Sequence, residues 1–419
     1  MELLRYNDID VDEVVKRSEE DVNSVVPIVS EILEDVSKNG DSAVNKYTRK
    51  FDNVDVEKLR VTDEEIRKAY ENLDEEIVEA LKSSAKNIEK FHLEEIPEEW
   101  EIEVAPGVMA GQIVRPIESV GCYIPGGKAV YPSSILMTVI PAKIAGVKRI
   151  VACSPPEIAD AILVAADLAG VDEIYKVGGA QAIAAMAYGT ESISKVDKIV
   201  GPGNIFVTAA KKLVYGRTDI DFPAGPSEVL ILADKTAKPE YVAVDVLAQA
   251  EHDPNASCFV VTDDEALAFN TLEEINKLIP KAKRSDIIAE SLEKSGKIVL
   301  CDNMKEAIEV TNKYAPEHLQ IITEDDEAIL FKINNAGSIF LGNFSPVPCG
   351  DYGSGTNHVL PTGGGAKMYS GLSTESFIKK PTVQRLTEEG LERLAETCIP
   401  IAEYEGLYSH ADAIRRRLE

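Results

Sequence analysis

The chain has 419 residues, 44% hydrophobic and 28% charged, with a formal net charge of −28. That length exceeds one ordinary core and points to two or more domains, and the composition is that of a folded chain rather than a disordered one. So acidic a surface repels phosphate backbones and argues against a nucleic-acid partner, while no apolar run approaches the roughly 20 residues needed to span a membrane.

The amino terminus, MELLRYNDIDVDEVVKRSEEDV, has neither the basic start nor the apolar stretch of a signal peptide, so a cytoplasmic location is expected. Residues 1–114 read as a charged, helical N-terminal region whose latter part joins the first α/β domain. Within it, Thr62 to about His92 carries apolar residues at helical spacing with no internal Gly or Pro, which predicts one long amphipathic helix. From Pro116 short strand-like runs alternate with helical ones. ESVGCYI is followed by a Pro-Gly-Gly turn and SSILMTVIPAKIAGV. RIVACS, PEIADAILVAADLAG, DEIYKVGG, AQAIAAMAYG and DKIVGPGN follow, then a helix to about Tyr215. Such alternation predicts a parallel sheet covered by helices.

A second series of the same texture runs from EVLILAD through SCFVVTDD, KIVLCD and LQIITED to AGSIFLGN. The expected fold class is therefore α/β, with two Rossmann-like parallel-sheet domains over 115–227 and 228–372. No sequence repeat links the two series, so a duplication rests on texture alone. NFSPVPCGDYGSGTNHVLPTGGGAKMYSG is expected to be a long functional loop. A small helical C-terminal unit is expected over 373–419, returning to charged helix from Thr382.

Histidine is scarce enough, at five residues, for each to be weighed alone. Gln249 and His252 lie three apart at the end of a predicted helix, so an amide oxygen and an imidazole can reach one cation. Taken alone, that pattern favours a helix end before the Asp253-Pro254 stop. Glu317 and His318 are adjacent bases of different strength, but an extended backbone sends neighbours to opposite faces, so only a turn aims both at one pocket. Asp351 and His358 sit in the Gly-rich loop, whose length and ligand-type side chains favour a functional reading. Glu405 and His410 share a helix-start region near the carboxy terminus. His92 has no partners nearby and reads as structural. The glycine turns GGKAVYPSS, VGGAQA, GPGN and PAGPSE match neither a GxGxxG fingerprint nor a P-loop, although GPGN between strand and helix can offer N–H groups to a pyrophosphate. The six cysteines have no CxxC spacing and read as reduced thiols, mostly buried.

Taken together, YIPGG with PSSILM, VGGAQAIAAMAYGTESISKVDKIVGPGN, DFPAGPSEVLILAD, AQAEHDPNA, YAPEHLQI and AGSIFLGNFSPVPCGDYGSGTNHVLPT resemble the histidinol dehydrogenase family. The resemblance runs from about Val114 to His410 and is loose in the N-terminal helical region. It implies oxidation of L-histidinol to L-histidine through the aldehyde with two NAD, the last steps of histidine biosynthesis. It also implies a metal site of Gln249, His252, Asp351 and, from a partner subunit, His410. The metal would be zinc, one ion per subunit, with manganese or cobalt as substitutes. Glu317 and His318 would be the catalytic pair, and Tyr123, Gln181 and Asn204 would contact NAD. Ser227, His358 and Glu405 would contact substrate, along with the metal ligands and His318. A homodimer with shared active sites follows from the same resemblance.

Three other readings compete: a related NAD-dependent amino-alcohol dehydrogenase, a metal-dependent hydrolase that activates water with Glu317, and a non-catalytic dimer held by a structural metal. A thiohemiacetal on Cys349, two positions before Asp351, is the rival chemistry.

Overall fold

Two parallel sheets built on one plan organise the computed structural model, which describes residues 1–17, 22–126 and 130–419. Residues 127–129, within the GGKAVYPSS turn, lie outside these. The first sheet runs Glu173–Lys176, Arg149–Ser154, Ser119–Tyr123, Lys198–Val200, Asp219–Ile220, every pair parallel. In chain order that is 3-2-1-4-5. Its central strands are buried on both faces, which is why they read as unbroken apolar runs rather than alternating ones. Helix Pro132–Ala145 is apolar all round, and Ser133 to Ala142 are buried without a break.

The second sheet holds Glu228–Ala233, Ser257–Thr262, Gly296–Leu300, His318–Ile322 and Ser338–Leu341 in the same 3-2-1-4-5 order, with Glu2–Arg5 added outside the third. Those pairs are parallel too.

The N-terminal region departs from the helical expectation at both ends. Glu2–Arg5 is a strand of the second sheet, its Leu3 packed against that sheet's core. Trp100–Ala105 and Val108–Gln112 form an antiparallel hairpin. Between them, helix Val22–Asp52, bent at Gly40 (φ 52°), packs on helices Gly179–Tyr188 and Ile205–Val214 of the first unit. The single helix expected from Thr62 to His92 is two. Thr62 opens Asp63–Asn72 with a reciprocal capping box, and Leu73 and Asp74 turn extended before Glu75–Leu93. The break needs no Gly or Pro because acids at 74–76 start a new helix well.

The C-terminal unit is not purely helical. Thr382–Leu386 pairs with Val108–Gln112, and helices Glu388–Tyr404 and Tyr408–Arg415 follow. Those two helices pack on each other and bury little: Gly390 in one, Ala411 in the other. No described helix is long and apolar enough to cross a membrane. All six cysteines are unpaired; four are buried, Cys398 is half-buried and Cys349 is exposed.

Candidate active site

A cleft of about 540 Å³ lies between the two sheets. A second cavity, about 720 Å³, shares Asp221, Phe222 and Leu360 with it but contains none of the site residues expected from sequence.

The first sheet meets the cleft at its carboxyl edge. Tyr123, Pro125 and Gly126 follow the central strand, and Gly201–Ile205 follow its neighbour Lys198–Val200. Strand order reverses between these two strands, which opens the crevice where open α/β sheets bind ligands. The two loops touch so closely that a Cβ on Gly201 (φ 112°) would stand 2.2 Å from the Tyr123 carbonyl oxygen. The Asn204 Oδ1 accepts from the N–H groups of Phe206 and Val207, starting helix Ile205–Val214. Free N–H groups and the positive end of that helix suit a pyrophosphate. A buried Lys211–Asp221 pair grips Gly201 from both sides: its N–H donates to Asp221 (2.8 Å) and its carbonyl accepts from Lys211 (2.9 Å). Gln181 does not line the cleft. It is buried in the first turn of Gly179–Tyr188, its Oε1 without a partner, while the Gly179 N–H donates to the Tyr123 hydroxyl (3.0 Å).

The second sheet meets the cleft at its amino edge. Ser227 precedes strand Glu228–Ala233, Glu317 precedes and His318 opens strand His318–Ile322, and Gln249 lies in the last turn of helix Pro239–Ala250 with His252 just beyond it. A left-handed Ala315 (φ 51°) caps helix Met304–Tyr314, and Glu317, just ahead of the strand, and His318, its first residue, both line the cleft. Their side chains lie 3.5 Å apart, Oε2 to Nδ1. Both are anchored to the same residue: the Glu228 N–H donates to Glu317 Oε2 (2.7 Å), and His318 Nδ1 lies 2.9 Å from the Glu228 carbonyl oxygen. A carbonyl only accepts, so Nδ1 carries a proton; Nε2, buried without a hydrogen-bond partner, lies 3.8 Å from Asp351 Oδ1. Burial pulls this imidazole down, but the Glu317 and Asp351 carboxylates outweigh it and raise His318 to about 9. A cation on Asp351 would offset one of those charges and bring it lower.

Asp351 lies in a loop more ordered than its composition suggested. Val347–Tyr352 is a short helix, and 3-10 turns follow at Gly365–Lys367 and Thr374–Phe377. Helix Glu75–Leu93 holds the loop from below, with Ser84 donating to the Tyr352 carbonyl and Asn87 to that of Gly353. The Asn357 amide donates to the Met137 carbonyl (2.7 Å) and lies 3.3 Å from His92 Nε2. His92, fully buried and paired with Glu95, is therefore a prop under this loop. His358 Nδ1 donates to the Asp351 carbonyl (3.0 Å), its Nε2 lies 3.4 Å from the Ser134 hydroxyl, and burial lowers its pKa.

Gln249, His252 and Asp351 converge on the cleft, and the amide nitrogen of Gln249 is buried without a partner. A flip of that amide turns the orphan atom into the oxygen a cation needs. One imidazole with two oxygen donors fits zinc, manganese or cobalt. Among the described residues no group of three or more His, Cys, Asp or Glu is placed to hold a metal ion, and the set of Gln249, His252 and Asp351 counts three donors, one of them an amide. Glu405 and His410 do not complete it: both are exposed on the C-terminal helices, outside the cleft of their own chain.

Sequence reasoning missed Ser134, the prop for His358, and Glu228, the anchor of the Glu317–His318 pair. Glu228 had a signal: an acid opening the otherwise apolar run EVLILA.

A family model described as histidinol dehydrogenase matches residues 15–418. The histidinol dehydrogenase of Methanothermobacter thermautotrophicus is 60% identical over 100% of this chain and 99% of its own. That of Methanococcus maripaludis is 55% identical over 99% and 98%. A crystal structure of histidinol dehydrogenase from Elizabethkingia anophelis superposes with a TM-score of 0.96 at 42% identity, over 100% of this chain and 98% of the other. The likeness thus includes the N-terminal region, beyond the Val114–His410 span read from motifs.

Proposed function

The chain belongs to the histidinol dehydrogenase family, and on that premise we propose that its cleft oxidises L-histidinol to L-histidine in two steps, alcohol to aldehyde and aldehyde to acid. The observation that carries this reading is the meeting of Glu317, His318, His358, Gln249, His252 and Asp351 with the Gly201–Asn204 turn across one cleft. NAD, held along Tyr123 and Asn204 with Gln181 behind them, supplies the hydride acceptor, two molecules per substrate. Gln249, His252 and Asp351 would hold the metal, zinc in our reading with manganese or cobalt as substitutes, and the ion supplies an anchor for the substrate's imidazole and amine.

His318 has the geometry of a general base. Its Nδ1–H is committed to Glu228, which leaves Nε2 to take the alcohol proton. Glu317, held by the Glu228 N–H, activates the water that adds to the aldehyde. Ser227, neutral His358 and Ser134 behind it shape the substrate's place. Both catalytic side chains are only 7% exposed, which shelters a reactive aldehyde from bulk water.

We also read the enzyme as a homodimer in which His410 and Glu405 serve the partner's site, one metal per subunit. The three-donor set of Gln249, His252 and Asp351, one short of a tetrahedral shell, supports this, as do the thinly packed C-terminal helices with Ile401 54% and Tyr404 95% exposed.

The test is NADH formed per L-histidinol consumed, with and without a chelator. Two NADH, lost on chelation and restored by zinc, is the expected result. One NADH would remove the acid-forming step and the role of Glu317. None, with metal present, would overturn the reading and bring the hydrolase forward.

A further inference from the structure

A side chain of the N-terminal segment reaches into the second sheet. Arg17 grips Glu228 with two prongs, Nε to Oε1 at 2.7 Å and Nη2 to Oε2 at 2.9 Å. The Glu228 side chain is 3% exposed and that of Arg17 14%. The guanidinium carbon lies over the Tyr314 ring, 3.7 Å from its centre, and Tyr314 donates to Ser257, the ladder partner of Glu228. Arg17 Nη2 also approaches the carbonyl of left-handed Ala315 at 3.4 Å. The Gly363 N–H donates to Glu228 Oε1 at 2.9 Å, tying in the Gly-rich loop.

All these contacts converge on one residue, Glu228, whose N–H holds Glu317 and whose carbonyl holds His318. A buried ion pair is a poor source of stability, because apolar residues of similar volume do as well or better. What it supplies is fixed orientation, here of the backbone groups from which both catalytic side chains hang. Burial pushes the Glu228 carboxyl up, and the Arg17 fork and the Gly363 N–H pull against that rise.

We propose that Arg17 and Glu228 are positioning residues that set Glu317 and His318 by fixing the Glu228 backbone, so that the N-terminal segment helps build the active site. The inference rests on the catalytic reading of Glu317 and His318 given above.

The experiment compares Arg17→Lys, Arg17→Ala and Glu228→Gln in the full-length, zinc-loaded enzyme. It measures kcat, KM for both substrates, zinc per chain and thermal midpoint. The expected result is a kcat lowered on the order of 10–100-fold, with KM for NAD and zinc content within about twofold. Arg17→Lys should keep more turnover than Arg17→Ala, and millimolar guanidinium should restore part of the Arg17→Ala loss. A merely structural pair would lower the thermal midpoint, leave kcat per folded enzyme unchanged and give no rescue; that result overturns the proposal, as does a kcat that falls only with zinc loss. Should Glu228→Gln fail to fold, Arg17→Lys decides. Glu317→Gln and His318→Asn run in parallel. If they keep full turnover, the catalytic reading falls and takes this one with it; if they lose it while the Arg17 variants do not, only this inference fails.

Discussion

The two sheets share a strand order and turn opposite edges to the cleft. In the first, the carboxyl ends of Ser119–Tyr123 and Lys198–Val200 face inward, beside the start of helix Ile205–Val214. In the second, the amino ends of Glu228–Ala233 and His318–Ile322 face inward, where helices Pro239–Ala250 and Met304–Tyr314 finish. Helix starts carry partial positive charge and helix ends partial negative charge. One edge thus suits a diphosphate and the other a cation, and one topology serves both by being turned round. The second sheet's own carboxyl edge is already taken. There Asp234 accepts from Thr236 and Glu324, and Asp264 and Asp325 cap the helices they precede. Carboxylates at that edge repel an anion.

If the edges divide the labour, damage to one should leave the other's ligand alone. The largest effect is expected at the amino edge. His318→Asn should lower kcat by about 10²–10⁴-fold, the usual worth of a general base, with KM for NAD unchanged. Steady-state kinetics checks it, and an equal change in NAD affinity would mean that the edges are not separate. Gly201→Ala is the mirror test. The forced φ of 112° and the clash with Tyr123 should cost about 1–3 kcal/mol and raise KM for NAD several-fold, with zinc content unchanged. Zinc loss in that variant would join the two edges. The smallest effect is expected at Cys349, exposed and outside the cleft lining. Cys349→Ser should change kcat by less than about twofold, and complete loss with zinc retained would revive a covalent thiohemiacetal.

Much of this architecture was legible because it is local. Strands buried on both faces announce themselves as apolar runs, and GPGN marks a tight turn between strand and helix. Of the histidines set apart from sequence, His252, His318 and His358 line the cleft. What stayed illegible is long-range. Nothing near Glu2 says that it will lie opposite Lys297. Which edge of a sheet faces a cleft depends on how two units dock, and no periodicity encodes that. The adjacency of Glu317 and His318 argues against a shared pocket only within extended backbone, and Glu317 lies just outside strand His318–Ile322. Gln181 was expected at the cofactor through resemblance, yet its side chain is buried behind the cleft wall.

The edge strand Glu2–Arg5 also sets a sequence of events in time. A ribosome makes it before the first sheet, but its partner Gly296–Leu300 leaves only after the whole first sheet has emerged. Domains form largely in order of synthesis, so the first unit can condense while this strand waits as an unpaired edge, tethered to a folded neighbour. Completing the second sheet is thus a late, long-range closure made by a strand synthesised before the first.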